Sequence, residues 1–213
     1  ASDRMGENHI WLVQADGGPA RRLTEKPINT ETEDCGVCYS KFSWSPDGSQ
    51  IAVFSNKSGT MCLYLISAED GRFIRQIIKG ERSAEYEELH ILKPGITWSP
   101  DGKNIAFAAK SGKSDVLVVV DIISEEVERY RFDMEGIFRA SWNPVENEIA
   151  FIGNNGKTTD IYVFNLDTEE LVNLTNDWFS EDQVSWSYDG KSLLFISDRG
   201  DNLIVNPPAN KNS

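Results

Sequence analysis

Trp98-Ser-Pro-Asp-Gly-Lys-Asn-Ile-Ala-Phe107 is the clearest of four related stretches in this 213-residue chain. The other three begin at Trp44, Trp142 and Trp186, so that successive tryptophans are 54, 44 and 44 residues apart. A period of this length is typical of β-propeller blades, in which each repeat folds as one small antiparallel sheet. The repeat therefore predicts an all-β fold built from four-stranded blades.

Each repeat has the local chemistry of four short strands joined by tight turns. Proline supplies no backbone N–H and ends the first strand, and Pro-Asp-Gly turns because its glycine tolerates positive φ. The next run, such as residues 105–108, is apolar without alternation. A strand that is apolar on both faces must be covered on both faces, as it is between two neighbouring blades. We predict third strands at residues 63–67, 117–121 and 161–165, each followed by a more polar fourth strand.

The two ends of the chain fall at the same phase of the repeat. The N-terminus supplies third and fourth strands, and the C-terminus supplies first and second strands with a short third strand at 203–205. Three complete blades lie between these two half-blades. We expect a single propeller domain over residues 1–205 and a polar, frayed tail over residues 206–213.

Two arrangements of the half-blades remain open. In a closed ring of four blades, residues 10–13 pair antiparallel with residues 193–196. In a segment of a larger propeller of six to eight blades, both half-blades are edges through which copies of the chain can associate. The segment is favoured because four-bladed rings are uncommon.

The repeat resembles the TolB-type β-propeller repeat, whose signature runs W-S-P-D-G-K-x-I-A-F, then I-Y-V-x-D, then L-T. Asp160-Ile-Tyr-Val-Phe-Asn-Leu-Asp167 and Leu174-Thr175 follow this signature closely, and the resemblance covers nearly the whole chain. It implies relatives with six blades and a location in the periplasm or cell envelope of bacteria. It specifies the fold better than the function, because the same repeat occurs beside peptidases, kinases and lyases.

The usual catalytic motifs are missing from the sequence. It contains no G-x-S-x-G elbow, H-E-x-x-H motif, Walker loop or G-x-G-x-x-G stretch. Its two histidines are too few for the multi-histidine metal site of the lyases with a similar propeller. We therefore predict a non-catalytic scaffold that binds a protein or peptide and needs no cofactor. The alternative is the propeller part of a larger hydrolase or lyase that acts on peptides or acidic sugars.

Two long loops, at residues 24–40 and 79–95, lead into first strands. By blade geometry both emerge on the face around the central channel, which we call the loop-rich face. Insertions concentrated on one face often carry function, although loop growth by itself costs little entropy. Acidic and aromatic side chains in these loops suit a basic protein segment, and a calcium site would need several of their oxygens to converge. The candidate partner-binding residues are Glu31, Glu33, Asp34, Tyr39, Glu85, Tyr86, Glu87 and Glu88.

Charge and cysteine content exclude several other classes of function. A net charge of −13 argues against nucleic acids and anionic membranes, which bind basic surfaces. No apolar run approaches the roughly 18 residues that span a bilayer, so no membrane insertion is predicted. Cys35 and Cys38 have C-x-x-C spacing, but the sequence offers few further ligands for a zinc ion, which needs about four. We expect no structural metal, at most a local disulfide, and Cys62 as a small buried hydrophobe.

Overall fold

The computed structural model describes residues 9–25, 42–55, 58, 62–79, 95–111 and 114–199. Within these ranges the chain forms β-strands and turns and no helix, which confirms the all-β prediction. The strands of the described residues are β1 (Trp11–Leu12), β2 (Arg21–Arg22), β3 (Phe42–Trp44), β4 (Gln50–Ser55), β5 (Cys62–Ser67), β6 (Phe73–Lys79), β7 (Thr97–Trp98), β8 (Asn104–Ser111), β9 (Ser114–Asp121), β10 (Val127–Tyr130), β11 (Gly136–Trp142), β12 (Glu148–Asn154), β13 (Thr159–Asn165), β14 (Glu170–Asn173), β15 (Glu181–Trp186) and β16 (Leu193–Ser197).

These strands form antiparallel sheets in which sequence neighbours pair with each other. Three sheets have four strands: blade 1 contains β3 to β6, blade 2 contains β7 to β10, and blade 3 contains β11 to β14. At the two ends of the described chain, β1 and β2 form the N-terminal half-blade, and β15 and β16 form the C-terminal half-blade. The predicted third strands therefore correspond to β5, β9 and β13.

The hydrophobic core lies between successive sheets. In β8, Ile105 and Phe107 pack into a cluster shared with blade 1, whereas Ala106 and Ala108 pack into a cluster shared with blade 3. Phe107 is fully buried and meets the ring of Phe54 edge-on, with ring centroids 5.2 Å apart. The uninterrupted apolar runs are thus explained by a neighbouring sheet on each face of the second strand.

Each half-blade covers one face of the complete blade beside it. Ile10 and Leu23 are buried in a cluster with residues of blade 1, and Val184 is buried in a cluster with residues of blade 3. The outer face of β16 is open, with Leu194 78% exposed and Ile196 56% exposed. In the complete blades the equivalent positions of the second strand are covered by the next sheet.

The strand pairing required by a closed four-bladed ring is absent from the described residues. There β1 pairs with β2 and β16 pairs with β15, and no pairing joins β1 to β16. The predicted third strand at 203–205 and the tail at 206–213 lie outside the described residues. A segment of a larger propeller, and association of copies through the half-blades, stay predictions.

The Pro-Asp-Gly turns are held by a recurring set of hydrogen bonds. Ser99 Oγ donates to Asp101 Oδ1 at 2.7 Å, and the backbone N–H of Lys103 donates to the same oxygen at 3.1 Å. These hydrogen bonds, led by that from Ser99, hold the pKa of Asp101 below its ordinary value. Blade 3 has Asn143 and Val145 in place of the serine and aspartate, and there Asn143 Oδ1 accepts from the backbone N–H of Val145 at 2.9 Å. The third repeat therefore keeps its turn despite its divergent sequence.

Candidate functional site

The candidate partner-binding residues of the two long loops lie outside the described residues. These are Glu31, Glu33, Asp34, Tyr39, Glu85, Tyr86, Glu87 and Glu88, and with them Cys35 and Cys38. Cys62 is fully buried in the cluster between the N-terminal half-blade and blade 1, which confirms its prediction as a core residue. What the structure shows of the loop-rich face comes from blades 2 and 3 and the C-terminal half-blade.

A cavity of about 230 Å³ lies beside three successive first strands. The first strands of neighbouring blades contact one another, which places β7, β11 and β15 on the inner side of the array, toward the expected channel. We call this cavity the channel cavity. Its lining includes Gly95, Thr97, Arg139, Ser141, Gln183 and Val184.

The backbone is left-handed three residues before Trp98, Trp142 and Trp186. The φ angles there are 59° at Gly95, 56° at Arg139 and 57° at Gln183. This left-handed region is disfavoured for residues with a Cβ atom. The register of β11 against β12, and of β15 against β16, shifts at these points, as in a β-bulge that re-aims a side chain. Strained residues of this kind cluster at ligand sites, which makes the channel cavity a candidate site.

An ion pair joins blade 3 to the C-terminal half-blade beside the channel cavity. Arg139 Nε donates to Asp182 Oδ1 at 2.6 Å, and Arg139 Nη2 donates to Asp182 Oδ2 at 3.4 Å. The backbone N–H of Gln183 donates to the same Oδ1 at 2.9 Å. Because the planar guanidinium matches a carboxylate in two places, this pair holds the bulged strands in register. The sequence prediction missed these residues, although the spacing of 95, 139 and 183 ahead of the tryptophans was a usable signal.

A buried carboxylate anchors the connection from blade 3 to the C-terminal half-blade. The Glu181 side chain is fully buried at the start of β15. It accepts hydrogen bonds from Ser197 Oγ at 3.0 Å, Thr175 Oγ1 at 3.1 Å and Arg199 Nη2 at 3.2 Å. Arg199 also pairs with Asp177. Because each of these groups is hydrogen-bonded or ion-paired within the fold, the cluster has a structural role and offers no free nucleophile or base.

The burial of Glu181 makes stability depend on pH. Desolvation raises the pKa of Glu181 above the ordinary value of 4.5, although hydrogen bonds from Ser197 and Thr175 act in the opposite direction. The folded chain therefore binds this proton more tightly than the unfolded chain. The resulting contribution to the free energy of unfolding is present in full below about pH 4.5 and is lost as the pH rises through the raised pKa of Glu181. We expect Glu181→Gln to remove this decline in the free energy of unfolding between about pH 4 and about pH 7, as measured by denaturant unfolding. Substitution of an exposed glutamate, Glu170→Gln, is expected to leave the decline in place. Identical pH profiles for the wild type and Glu181→Gln would contradict the assignment.

The described residues contain no group of three or more histidines, cysteines or acids that could hold a metal ion. Nor does this part of the chain contain a helix that is long and apolar enough to cross a membrane. Within the described ranges, the candidate site therefore consists of the channel cavity, its bulged strands and the ion pair beside it.

Comparison with known proteins identifies similar folds. A family profile for the TolB β-propeller domain matches residues 84–206. The solved structure of TolB from Acinetobacter baumannii has a TM-score of 0.67 and 21% identity, over 91% of this chain and 43% of that chain. A protein assigned as TolB from Agrobacterium tumefaciens has a TM-score of 0.70 and 18% identity, over 94% of this chain and 66% of that one. Oligogalacturonate lyase from Vibrio parahaemolyticus has a TM-score of 0.58 and 14% identity, over 92% of this chain and 54% of the lyase chain.

No curated protein sequence matches the chain. The chain spans less than two thirds of the length of each of these three solved chains. At identities of 14–21%, the likeness establishes a shared fold and no more.

Proposed function

The chain belongs to the TolB β-propeller domain family, and we propose that it is a non-catalytic scaffold that binds a protein or peptide on its loop-rich face. The observation that carries the proposal is the channel cavity, which is lined beside β7 and by the two bulged inner strands β11 and β15. We place this activity in the bacterial cell envelope because of the family resemblance.

The dimensions of the channel cavity suit part of a polypeptide. Its volume of about 230 Å³ is below the range of about 300–1,000 Å³ that is usual for whole small-molecule ligands. One inserted side chain, or a short peptide turn, fits this space better. Thr97, Ser141 and Gln183 offer polar groups in the lining, as peptide recognition requires. Gly95, the last residue of the second long loop, also lines the cavity and connects it to the predicted partner-binding loop.

The charge of the chain favours a basic partner. The net charge of −13 and the acidic long loops attract a positively charged segment and raise its association rate. Because surface charges are screened over about 8 Å at physiological ionic strength, we expect the association rate to fall as salt is added.

Peptides selected from a random library against the 213-residue chain test this proposal. We expect shortening of loops 24–40 and 79–95 to weaken peptide binding at least about tenfold in isothermal titration calorimetry, equivalent to about 1.4 kcal/mol. Gln183→Ala, which trims the cavity lining, is expected to weaken binding as well. The matched control is Val145→Ser on the opposite face, where the side chain is exposed. If the loop-shortened chain binds the peptides as tightly as the wild type, the site assignment is wrong.

A second candidate is the propeller part of a larger hydrolase or lyase. It is supported by the likeness to oligogalacturonate lyase, whose length the chain spans by 54%. However, a chain with a net charge of −13 repels an acidic sugar polymer. We therefore expect no binding and no unsaturated product when this chain is incubated with oligogalacturonate. Product formation would favour the lyase, as would a hydrolase domain or further histidine-bearing blades in the complete reading frame.

A further inference from the structure

The connection from blade 3 to the C-terminal half-blade, residues 174–180, presents an exposed tryptophan. It joins a fourth strand to the first strand of the next sheet, as the long loops 24–40 and 79–95 do, so it emerges on the loop-rich face. Unlike those two loops, it lies entirely within the described residues. Trp178 is 91% exposed, and the connection leads into β15, from which Gln183 lines the channel cavity. Trp178 is therefore on the face of the proposed binding site.

Other apolar side chains of such connections fold inward. In residues 131–135, between blades 2 and 3, Phe132 and Met134 pack against the cluster that the two blades share. Phe179, next to Trp178, is half-buried and lies under the guanidinium of Arg199, which is 5.8 Å from the centre of its ring. Trp178 instead leaves its indole in water, although burial would stabilise so large an apolar group. Tryptophans of this kind are enriched among the residues that dominate protein interfaces.

The backbone on both sides of Trp178 is held in place by hydrogen bonds. Asp177 Oδ1 accepts from the backbone N–H two residues further on at 2.9 Å, and Asp177 also pairs with Arg199. The backbone N–H of Ser180 donates to Asp198 Oδ1 at 2.8 Å, and the N–H of Asp198 donates to the carbonyl oxygen of Ser180 at 3.2 Å. A partner that contacts Trp178 therefore has little of this loop to order, which lowers the entropic cost of binding.

An exposed carboxylate lies beside the same loop. Arg199 is already paired with Asp177 and Glu181. Asp198 is exposed, and among the described residues it forms a hydrogen bond to Ser180 and no ion pair. In a chain with a net charge of −13, this carboxylate and the neighbouring indole together favour a cationic group of the partner.

We propose that Trp178 and Asp198 form a subsite for an arginine residue of the partner. The planar guanidinium stacks on the face of the indole and donates to the carboxylate of Asp198. Lysine suits this pair less well, because a compact and strongly hydrated ammonium neither stacks as a plane nor donates two parallel hydrogen bonds. The subsite rests on the proposed function, since it specifies which residue the partner presents to the loop-rich face.

Peptides selected from a random library against the 213-residue chain are the probe. We expect the tightest binders to contain an arginine whose replacement by citrulline, which keeps the shape and removes the charge, weakens binding about fivefold to tenfold in isothermal titration calorimetry. Replacement of the same arginine by lysine is expected to weaken binding about threefold. Selection of tight binders without arginine would overturn the subsite.

Variants of the chain locate the arginine. Trp178→Leu keeps an apolar side chain without the aromatic face, and we expect it to weaken the arginine peptides about fivefold. In this variant the arginine and citrulline peptides are expected to bind within about twofold of each other, which a double-mutant cycle measures as coupling. Asp198→Asn retains an oxygen that accepts from Ser180 but removes the charge, and is expected to weaken the arginine peptides about threefold.

Tyr188→Leu is the matched control, because it removes an aromatic ring that is 97% exposed in the turn between β15 and β16, on the opposite face. We expect it to leave peptide affinity within about twofold. Trp178→Leu and Tyr188→Leu are both expected to leave the midpoint of denaturant unfolding unchanged, because both side chains are exposed.

The outcomes separate this subsite from the proposed function. If Trp178→Leu and Tyr188→Leu bind the arginine peptides equally while shortening of the long loops weakens binding, the subsite is wrong and the proposed function stands. If Trp178→Leu weakens binding while shortening of the long loops does not, the long loops are refuted as the site and the subsite stands.

Discussion

Replacement of Phe107 by alanine is expected to lower the free energy of unfolding by about 3–5 kcal/mol. The ring is fully buried between blades 1 and 2, and its removal leaves a cavity beside Phe54. The cost combines the lost transfer of the ring out of water with the cavity that the neighbouring sheets do not fill. Denaturant unfolding followed by tryptophan fluorescence and circular dichroism measures it.

Leu194→Ala is the matched control for Phe107→Ala. Leu194 also lies on a second strand, but on the open face of β16, where it is 78% exposed. We expect its substitution to change the free energy of unfolding by no more than about 0.5 kcal/mol. Equal losses for the two variants would show that the blade interfaces do not carry the core.

Gly71→Ala is expected to be the most damaging of the glycine substitutions, with a loss of roughly 3 kcal/mol or more. Gly71 has a φ of 72°, and an added Cβ atom would overlap the carbonyl group of Leu23 in the N-terminal half-blade. The variant therefore combines left-handed strain with a clash between backbones. We expect the half-blade to lose its contact with blade 1, which hydrogen exchange at Ile10 and Leu23 would report.

Gly48→Ala separates strain from the clash in this prediction. Gly48 has nearly the same φ, 70°, but an added Cβ atom would meet nothing within 4 Å. Its substitution is expected to cost only about 1–2 kcal/mol from the left-handed conformation. If the two alanine variants unfold at the same denaturant concentration, the close approach of Gly71 to the half-blade contributes nothing.

The sequence determined the strands, their order and the location of the core. Turn chemistry is local, because Pro-Asp-Gly selects its own backbone conformation and its serine and aspartate hydrogen-bond within the turn. The uninterrupted apolar run of residues 105–108 indicated covering on both faces, which the clusters on either side of β8 confirm. A repeat of about 44 residues carries this information four times, so the divergence of the third copy around Val145 did not obscure it.

Only the tertiary structure decided how residues from different blades meet. The left-handed bulges at Arg139 and Gln183, and the pairing of Arg139 with Asp182, depend on the approach of two inner strands that are distant in sequence. The cavity between blades 2 and 3 likewise depends on the packing of those two blades against each other. Local sequence specifies each blade because the hydrogen bonds of a blade join residues that are close in sequence. The sites between blades instead depend on close packing of side chains that are distant in sequence.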